Sequence, residues 1–223
     1  MLANIILAGA LALTASAAPV ALSPRAPVAT TGSAFRLVAK VRSSSSSSPS
    51  AAAVNNLELA AYHTSPSLNR GALAASSATV FYQNGTQAQR DTWTATLVND
   101  TPSFPQGFVI DFEGSGGATG NLFEVQVNAG PGSQSVMISS EAQEYAFVDR
   151  QAATGGFQAC VDSASGTTLV DWYVLDGAAE GCVAIDLVPE CMALPELPEG
   201  STWNHEFVQQ VRCYEDVSAI EWR

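Results

Sequence analysis

The chain has 223 residues, 47% of them hydrophobic, and a formal net charge of −12. The charge is one-sided: up to Ile110 there are three acids and six bases, and from Asp111 onward eighteen acids and three bases. That balance excludes nucleic acid and anionic membrane surfaces as partners, because phosphate binding needs a basic track, and scattered acids at low pI serve solubility.

The chain opens MLANIILAGALALTASAAPVALSP. Its apolar core, Ile5 to Leu13, is too short to span a bilayer and ends in the small-x-small pattern Ala15-Ser16-Ala17. The n-region has no Lys or Arg, and Pro19, Pro24 and Pro27 would break a buried helix. Residues 1–17 are read as a secretory signal peptide, 18–31 as a flexible leader, and 32–223 as a single β domain. No later segment is apolar enough to cross a membrane, and the end CYEDVSAIEWR lacks a tail for a lipid anchor, so no membrane insertion is expected.

Phe35-Leu37-Ala39-Val41 alternates with Arg36-Val38-Lys40, the period of a strand. Six serines follow, Ser43 to Ser48. They cannot bury apolar area, so residues 43–53 are expected to form a solvated Ser-rich loop that interrupts one sheet, open to O-glycosylation. Further strands are expected at Leu57–His63, Ala78–Gln83, Trp93–Val98, Gly107–Phe112, Leu122–Asn128, Val136–Ser139, Tyr145–Asp149, Gly156–Val161, Thr168–Val174, Cys182–Leu187 and Phe207–Tyr214. Turn-forming residues separate most of them, such as Asn84-Gly85 and Asn128–Gly132. Leu68–Ala78 contains helix formers but also Gly71, and stays unassigned. The pattern predicts an all-β fold: one antiparallel β-sandwich or jelly-roll-like domain with two disulfides.

Cys160, Cys182, Cys191 and Cys213 all fall in the last third. An even count behind a signal peptide reads as two disulfides, and the spacing has no CxxC knuckle for zinc. Pairing 160–182 with 191–213, or 160–213 with 182–191, both fit. Asn84-Gly85-Thr86 and Asn99-Asp100-Thr101 are N-glycosylation sequons, the second followed by Pro102.

The strand FRLVAKV, the segment NNLELAAYHTS and the carboxy-terminal FQAC…GCVAIDLVPEC…VRCY together resemble a group of secreted ascomycete proteins classed as a domain of unknown function. The likeness runs from about Phe35 to Tyr214, and the serine insertion departs from the shorter loop of that group. The resemblance implies a fungal extracellular or cell-wall-associated β protein. It carries over no catalytic residue and no cofactor.

Candidate chemistry is thin. Asp111 and Glu113 share one strand face, while Phe108, Ile110 and Phe112 point the other way, and two same-face acids could serve a glycosidase. Glu141, Glu144 and Asp149, or Asp162, Asp171 and Asp176, could offer oxygens to calcium, but no EF-hand loop is present and no metal is assigned. His63 and His205 are the only histidines, and no G-x-S-x-G elbow accompanies them. Trp93, Trp172, Tyr173, Trp203, Phe207 and Trp222 could stack on sugars. Trp93 and one of the adjacent pair Trp172-Tyr173 are expected in the core, leaving Trp203 and Trp222 as candidate carbohydrate-stacking rings. The reading favours a secreted non-catalytic protein of unknown role at the fungal cell surface or in the medium. A cell-wall polysaccharide-binding protein is the first alternative and a glycoside hydrolase the second. The expected partner is a cell-wall polysaccharide or a host or surface protein, with no cofactor.

Overall fold

The alternation at Phe35–Val41 builds a strand whose side chains Phe35, Leu37 and Ala39 are fully buried. It is the second of fourteen strands in a computed structural model that describes residues 28–42, 49–66, 68–112, 121–140, 143, 145–150, 154–174 and 177–220. The expected signal peptide, most of the leader, the six serines, Glu113, Glu141, Glu144, Asp176 and Trp222 lie outside the described residues.

In chain order the elements begin with β1 (Thr30–Gly32), β2 (Ala34–Val41), α1 (Pro49–Val54), β3 (Glu58–Ser65), β4 (Leu68–Ala74) and β5 (Val80–Asn84). Next come α2 (Gln87–Asp91), β6 (Thr96–Asp100), β7 (Pro105–Asp111), β8 (Leu122–Ala129) and β9 (Val136–Ile138). The last are β10 (Val148–Arg150), β11 (Gly156–Val161), β12 (Thr168–Tyr173), β13 (Val183–Met192) and β14 (Val211–Cys213). The ladders between named strands are antiparallel.

Ten strands share one sheet, and its pairings return on themselves. The path β2–β5–β6–β7–β8–β4–β12–β11–β13 closes at β2, a circuit of nine strands, and β3 bridges β2 and β4. The all-strand class and the two disulfides are as expected. The two facing sheets of a sandwich or jelly roll are corrected to a closed barrel, because β2 and β12 each split one edge between two partners. β2 pairs with β5 at Phe35 and Arg36 and with β3 at Val38; β12 pairs with β4 at Thr168 and Leu169 and with β8 from Asp171 to Tyr173. Period-2 patterning records which face is buried but not which strand lies alongside.

The barrel interior is filled by rings. Phe81 of β5 meets Phe108 of β7 edge-on at 6.3 Å, Phe108 meets Phe157 of β11 at 5.9 Å, and Phe157 meets Trp172 of β12 at 4.9 Å. Edge-to-face contacts of this kind add to the area that each ring buries. Outside the barrel wall, Val38 and its register partner Val188 lie beneath α1, whose Ala51 and Val54 are buried against β2 and β13. α1 therefore corrects the expected loop at 43–53: residues 49–53 are helical.

Other expectations shift for local reasons. The unassigned Leu68–Ala78 supplies β4, and Gly71 is required there because a Cβ would stand 2.9 Å from a Val125 methyl. The strand drawn from Trp93 begins only at Thr96. Before it stands α2, opened by a capping box in which Thr86 Oγ1 accepts from Gln89 N and Gln89 Oε1 accepts from Thr86 N. Thr86-x-x-Gln89 is readable as such a box in the sequence. Trp93 ends that turn with φ of 56° and is half-buried, whereas Trp172 and Tyr173 are both buried.

The disulfides are Cys160–Cys182 and Cys191–Cys213, the sequential of the two pairings. The first ties β11 to the residue before β13, and the second ties β13 to β14. Each spans 22 residues, worth about 3 kcal/mol if loop entropy is the cause.

Phe108 stands between two rings at the centre, while Phe112, on the same strand path, is 37% exposed. Phe108→Ala should cost about 3–5 kcal/mol of unfolding free energy in urea, and Phe112→Ala well under half of that. Similar losses at both positions would place the core elsewhere.

Candidate functional site

Two polar centres lie outside the aromatic core. The first contains the acid singled out in the sequence. On β7, Phe108 and Ile110 are buried inward, so Asp111 sits on the outer face as alternation requires. Its register partner is Glu124 on β8, and Glu124 in turn faces Asp171 on β12. Three carboxylates thus stand side by side on adjacent strands, an arrangement that repels unless a cation intervenes.

Arg70 of β4 is that cation. Its guanidinium reaches Glu124 at 2.6 Å and Asp171 at 2.5 Å. Gln126 Nε2 donates to Asp111 Oδ2 at 3.1 Å and to Glu124 Oε2 at 3.3 Å, and its own Oε1 accepts from Asn128 Nδ2 at 2.8 Å. The chain of bonds continues through Asn128 Oδ1, which accepts from Asn69 N at 2.7 Å, to His63 Nδ1, 3.1 Å from Asn69 Oδ1. Burial pushes the Asp171 carboxyl above its ordinary range; Arg70 pulls it down and Glu124 pushes it up again. Each acid of the row is thus held by an amide or a guanidinium. Asp111 meets Glu124 here, and its expected same-face neighbour Glu113 lies outside the described residues.

The second centre is Asp100, at the end of β6, whose side chain is only 4% exposed. Oδ1 accepts from the Tyr82 hydroxyl at 2.9 Å and from Trp203 Nε1 at 2.9 Å; Oδ2 lies 2.8 Å from His205 Nε2. Tyr82 and His205 also meet edge-on at 5.0 Å. Burial, followed by the bond to Asp100, raises the Tyr82 hydroxyl far above the usual tyrosine range. One buried carboxylate thereby fastens the segment after β13 to the barrel. A pair of buried amides does the same nearby: Gln83 Nε2 donates to Gln209 Oε1 at 2.6 Å, and Gln209 Nε2 donates to the Gly85 carbonyl at 2.6 Å.

Other candidate residues are distributed. Trp203 is partly buried with its indole N–H committed to Asp100, and Phe207 in the same segment is 46% exposed. Asn84 is partly exposed, but Asn99 is 6% exposed and donates to the Asp100 carbonyl at 3.3 Å. Asp162 closes its own turn, accepting from Ser165 N at 2.9 Å and Ser165 Oγ at 2.6 Å. Among the described residues no group of three His, Cys, Asp or Glu is placed to hold a metal. Arg70, Glu124 and Asp100 were not singled out from the sequence, since their partners lie 54, 101, 103 and 105 positions away.

Asp171 gives a pH test. With its folded pKa raised, the folded chain keeps a proton that the unfolded chain has already released. The stabilisation from that proton is complete below the ordinary aspartate pKa and is lost as pH rises through the folded value. In urea titrations at pH 3 and pH 6, Asp171→Asn should gain stability relative to the parent chain as pH rises. A parent chain that gains on Asp171→Asn over that range would instead mean that Arg70 outweighs burial.

Comparison with known proteins adds the family. The domain of unknown function DUF7907 matches residues 32–191. The antigenic protein SchS34 of Stachybotrys chartarum is 30% identical over 210 residues, covering 89% of this chain and 93% of its own. No solved structure matches. With the family match running from β1 into β13, this chain belongs to the DUF7907 family.

Proposed function

We propose that this chain is a secreted, non-catalytic β-barrel protein acting at the fungal cell surface or in the surrounding medium. The observation that carries the reading is the pairing of all four cysteines. Such bonds persist in oxidising compartments and are rare where glutathione keeps thiols reduced. The leader, with its Ala15-Ser16-Ala17 cleavage pattern, agrees with export. A relative described as antigenic also fits a protein met outside the cell that makes it. The commitment of Asp111, Glu124 and Asp171 to Gln126 and Arg70 favours a structural over a hydrolytic role.

The second reading is a cell-wall polysaccharide-binding protein. Trp203 supports it, because a ring pinned at its N–H by Asp100 is preorganised, and the exposed Phe207 lies four residues on. Any N-glycan belongs on Asn84, since the Asn99 side chain is covered.

Expression of the full chain in a yeast secretory host tests the reading. The medium should contain a product beginning at Ala18, without free thiols, and with glycan mass that Asn84→Gln removes and Asn99→Gln leaves. Cellular retention with reduced cysteines would contradict export. Release of reducing sugar from chitin, β-glucan or cellulose, abolished in Asp111→Asn, would contradict the absence of catalysis. Retention on one of those polymers, lost in Trp203→Ala, would select the second reading, and no retention on any would remove it.

A further inference from the structure

The two disulfides stand in different surroundings. Cys213 is fully buried and β1 lies against it, so that a Cβ on Gly32 would stand 2.9 Å from Cys213 Sγ. Cys160, near the end of β11, and Cys182, just before β13, are both partly exposed. Their chain neighbours Val161, Glu180 and Gly181 are exposed as well. Among the described residues no atom lies within 4 Å of the point where a Gly181 Cβ would stand, which leaves open space beside Cys182. A thiol in solution therefore reaches the first bridge more readily than the second, since exchange depends on access to the attacked sulfur.

One side chain also distinguishes the two sulfurs of that bridge. Gln158 precedes Cys160 by two residues on β11, shares its strand face and is fully buried. Its Oε1 accepts from Ala179 N at 2.7 Å. A backbone N–H can only donate, so the amide oxygen faces Ala179 and the amide nitrogen is left to face the sulfur. Gln158 Nε2 accordingly donates to Cys160 Sγ at 3.3 Å. When a thiol opens a disulfide, one sulfur is attacked and the other departs as a thiolate. A fixed N–H donor favours negative charge on its acceptor. That makes Cys160 the departing sulfur and Cys182 the one attacked.

We propose that Cys160–Cys182 is a thiol-exchange site that takes up a small thiol as a mixed disulfide on Cys182. The incoming thiol gives its proton to solvent and attacks Cys182 Sγ as a thiolate. A new S–S bond forms while the Cys160–Cys182 bond breaks, and the electron pair of the broken bond leaves on Cys160 Sγ, which takes a proton back. One disulfide is exchanged for another, so no further oxidant or reductant takes part. Return attack by Cys160 expels the small thiol and recloses the bridge. The barrel stays shut throughout, because β11 is paired with β12 from Gly156 to Val161 and with β13 from Phe157 to Ala159. What the step loosens is the segment from Gly177 to Cys182, which then holds to β11 through Ala179 N on Gln158 Oε1. Exchange is a property of the oxidised folded chain, so it stands whether or not the export reading holds.

The test treats the oxidised full chain briefly with monothioglycerol, an uncharged monothiol that the neighbouring Glu180 does not repel, and quenches with excess N-ethylmaleimide. Cleavage at acidic residues then separates the cysteines, because Asp162, Asp171, Glu180 and Glu190 stand between Cys160, Cys182 and Cys191. Mass spectrometry should find thioglycerol on Cys182 and maleimide on Cys160, with about tenfold less of the reverse arrangement, a ratio within what one hydrogen bond to a charged acceptor supports. Cys191–Cys213 should still be intact. In urea both bridges should open and the preference for Cys182 should vanish. Gln158→Met, which keeps the length of the side chain and removes the donor, should abolish the preference in the folded chain, and the parent chain alone decides the matter if that variant does not fold. Thioglycerol equally or mainly on Cys160, no adduct on either sulfur, or opening of Cys191–Cys213 at the same rate would overturn the proposal, as would a preference unchanged in folded Gln158→Met.

Discussion

The structure depends on burying one strand on both of its faces. β2 gives Phe35, Leu37 and Ala39 to the aromatic interior, and Val38 and Lys40 to a second layer formed by α1 and the carboxy-terminal segment. Its edges are as fully used. β13 runs along one edge in register from Val41–Ile185 to Ala34–Met192, and the other edge is divided between β5 and β3. A strand so enclosed must supply apolar side chains on both faces and tolerate few charges. Of its two charged residues, Lys40 is covered by the second layer, and Arg36 spans Glu58 on β3 and Glu190 on β13 and so ties the three strands on the outside. Glu190 then accepts from Val217 N at 2.9 Å, which carries the tie into the carboxy-terminal segment.

That segment has little regular structure, and three kinds of bond hold it. Cys213 is bridged to Cys191, Asp100 holds Trp203 and His205, and Gln83 and Gln209 exchange amide contacts in a buried setting. A long stretch poor in strands would otherwise open easily, because its apolar area is small and its backbone groups would turn to water. The acidic half of the chain is handled in the same economical way. Where like charges fall on adjacent strands, as at Asp111, Glu124 and Asp171, a single guanidinium and one amide separate them. The polar centres are therefore best understood as fastenings that hold the barrel and its carboxy-terminal segment together.

Much of this architecture was legible in the sequence, and the limits have physical causes. The FRLVAKV alternation marked β2 because a strand with one strongly apolar face leaves no ambiguity of period. The cysteines announced a bridged carboxy-terminal third, but spacing alone left two pairings open until the approach of β13 to β14 chose one. Leu68–Ala74 resisted assignment because Gly71, unfavourable in a helix, is needed in β4 for contact with Val125. Barrel closure was hidden, since nothing local tells β2 that Phe81 rather than another residue faces Phe35. Of the site residues, Asp111 was visible through its strand face. Arg70 and Asp100 were not, because each acts through partners brought near only by the closed sheet. The bond from the Trp203 indole N–H to Asp100 was hidden as well, because its acceptor lies 103 positions away in the chain.

Hydrogen exchange on the native, oxidised protein addresses the enclosure of β2 directly. The amides of Leu37 to Lys40 should be among the slowest in the chain, exchanging only when the whole barrel unfolds and with the same free energy as urea unfolding. Exchange of those amides at the rate of the β3–β4 tip, Tyr62 to Ser65, where side chains are exposed on both faces, would mean that β2 is not locked between β13, β5 and β3.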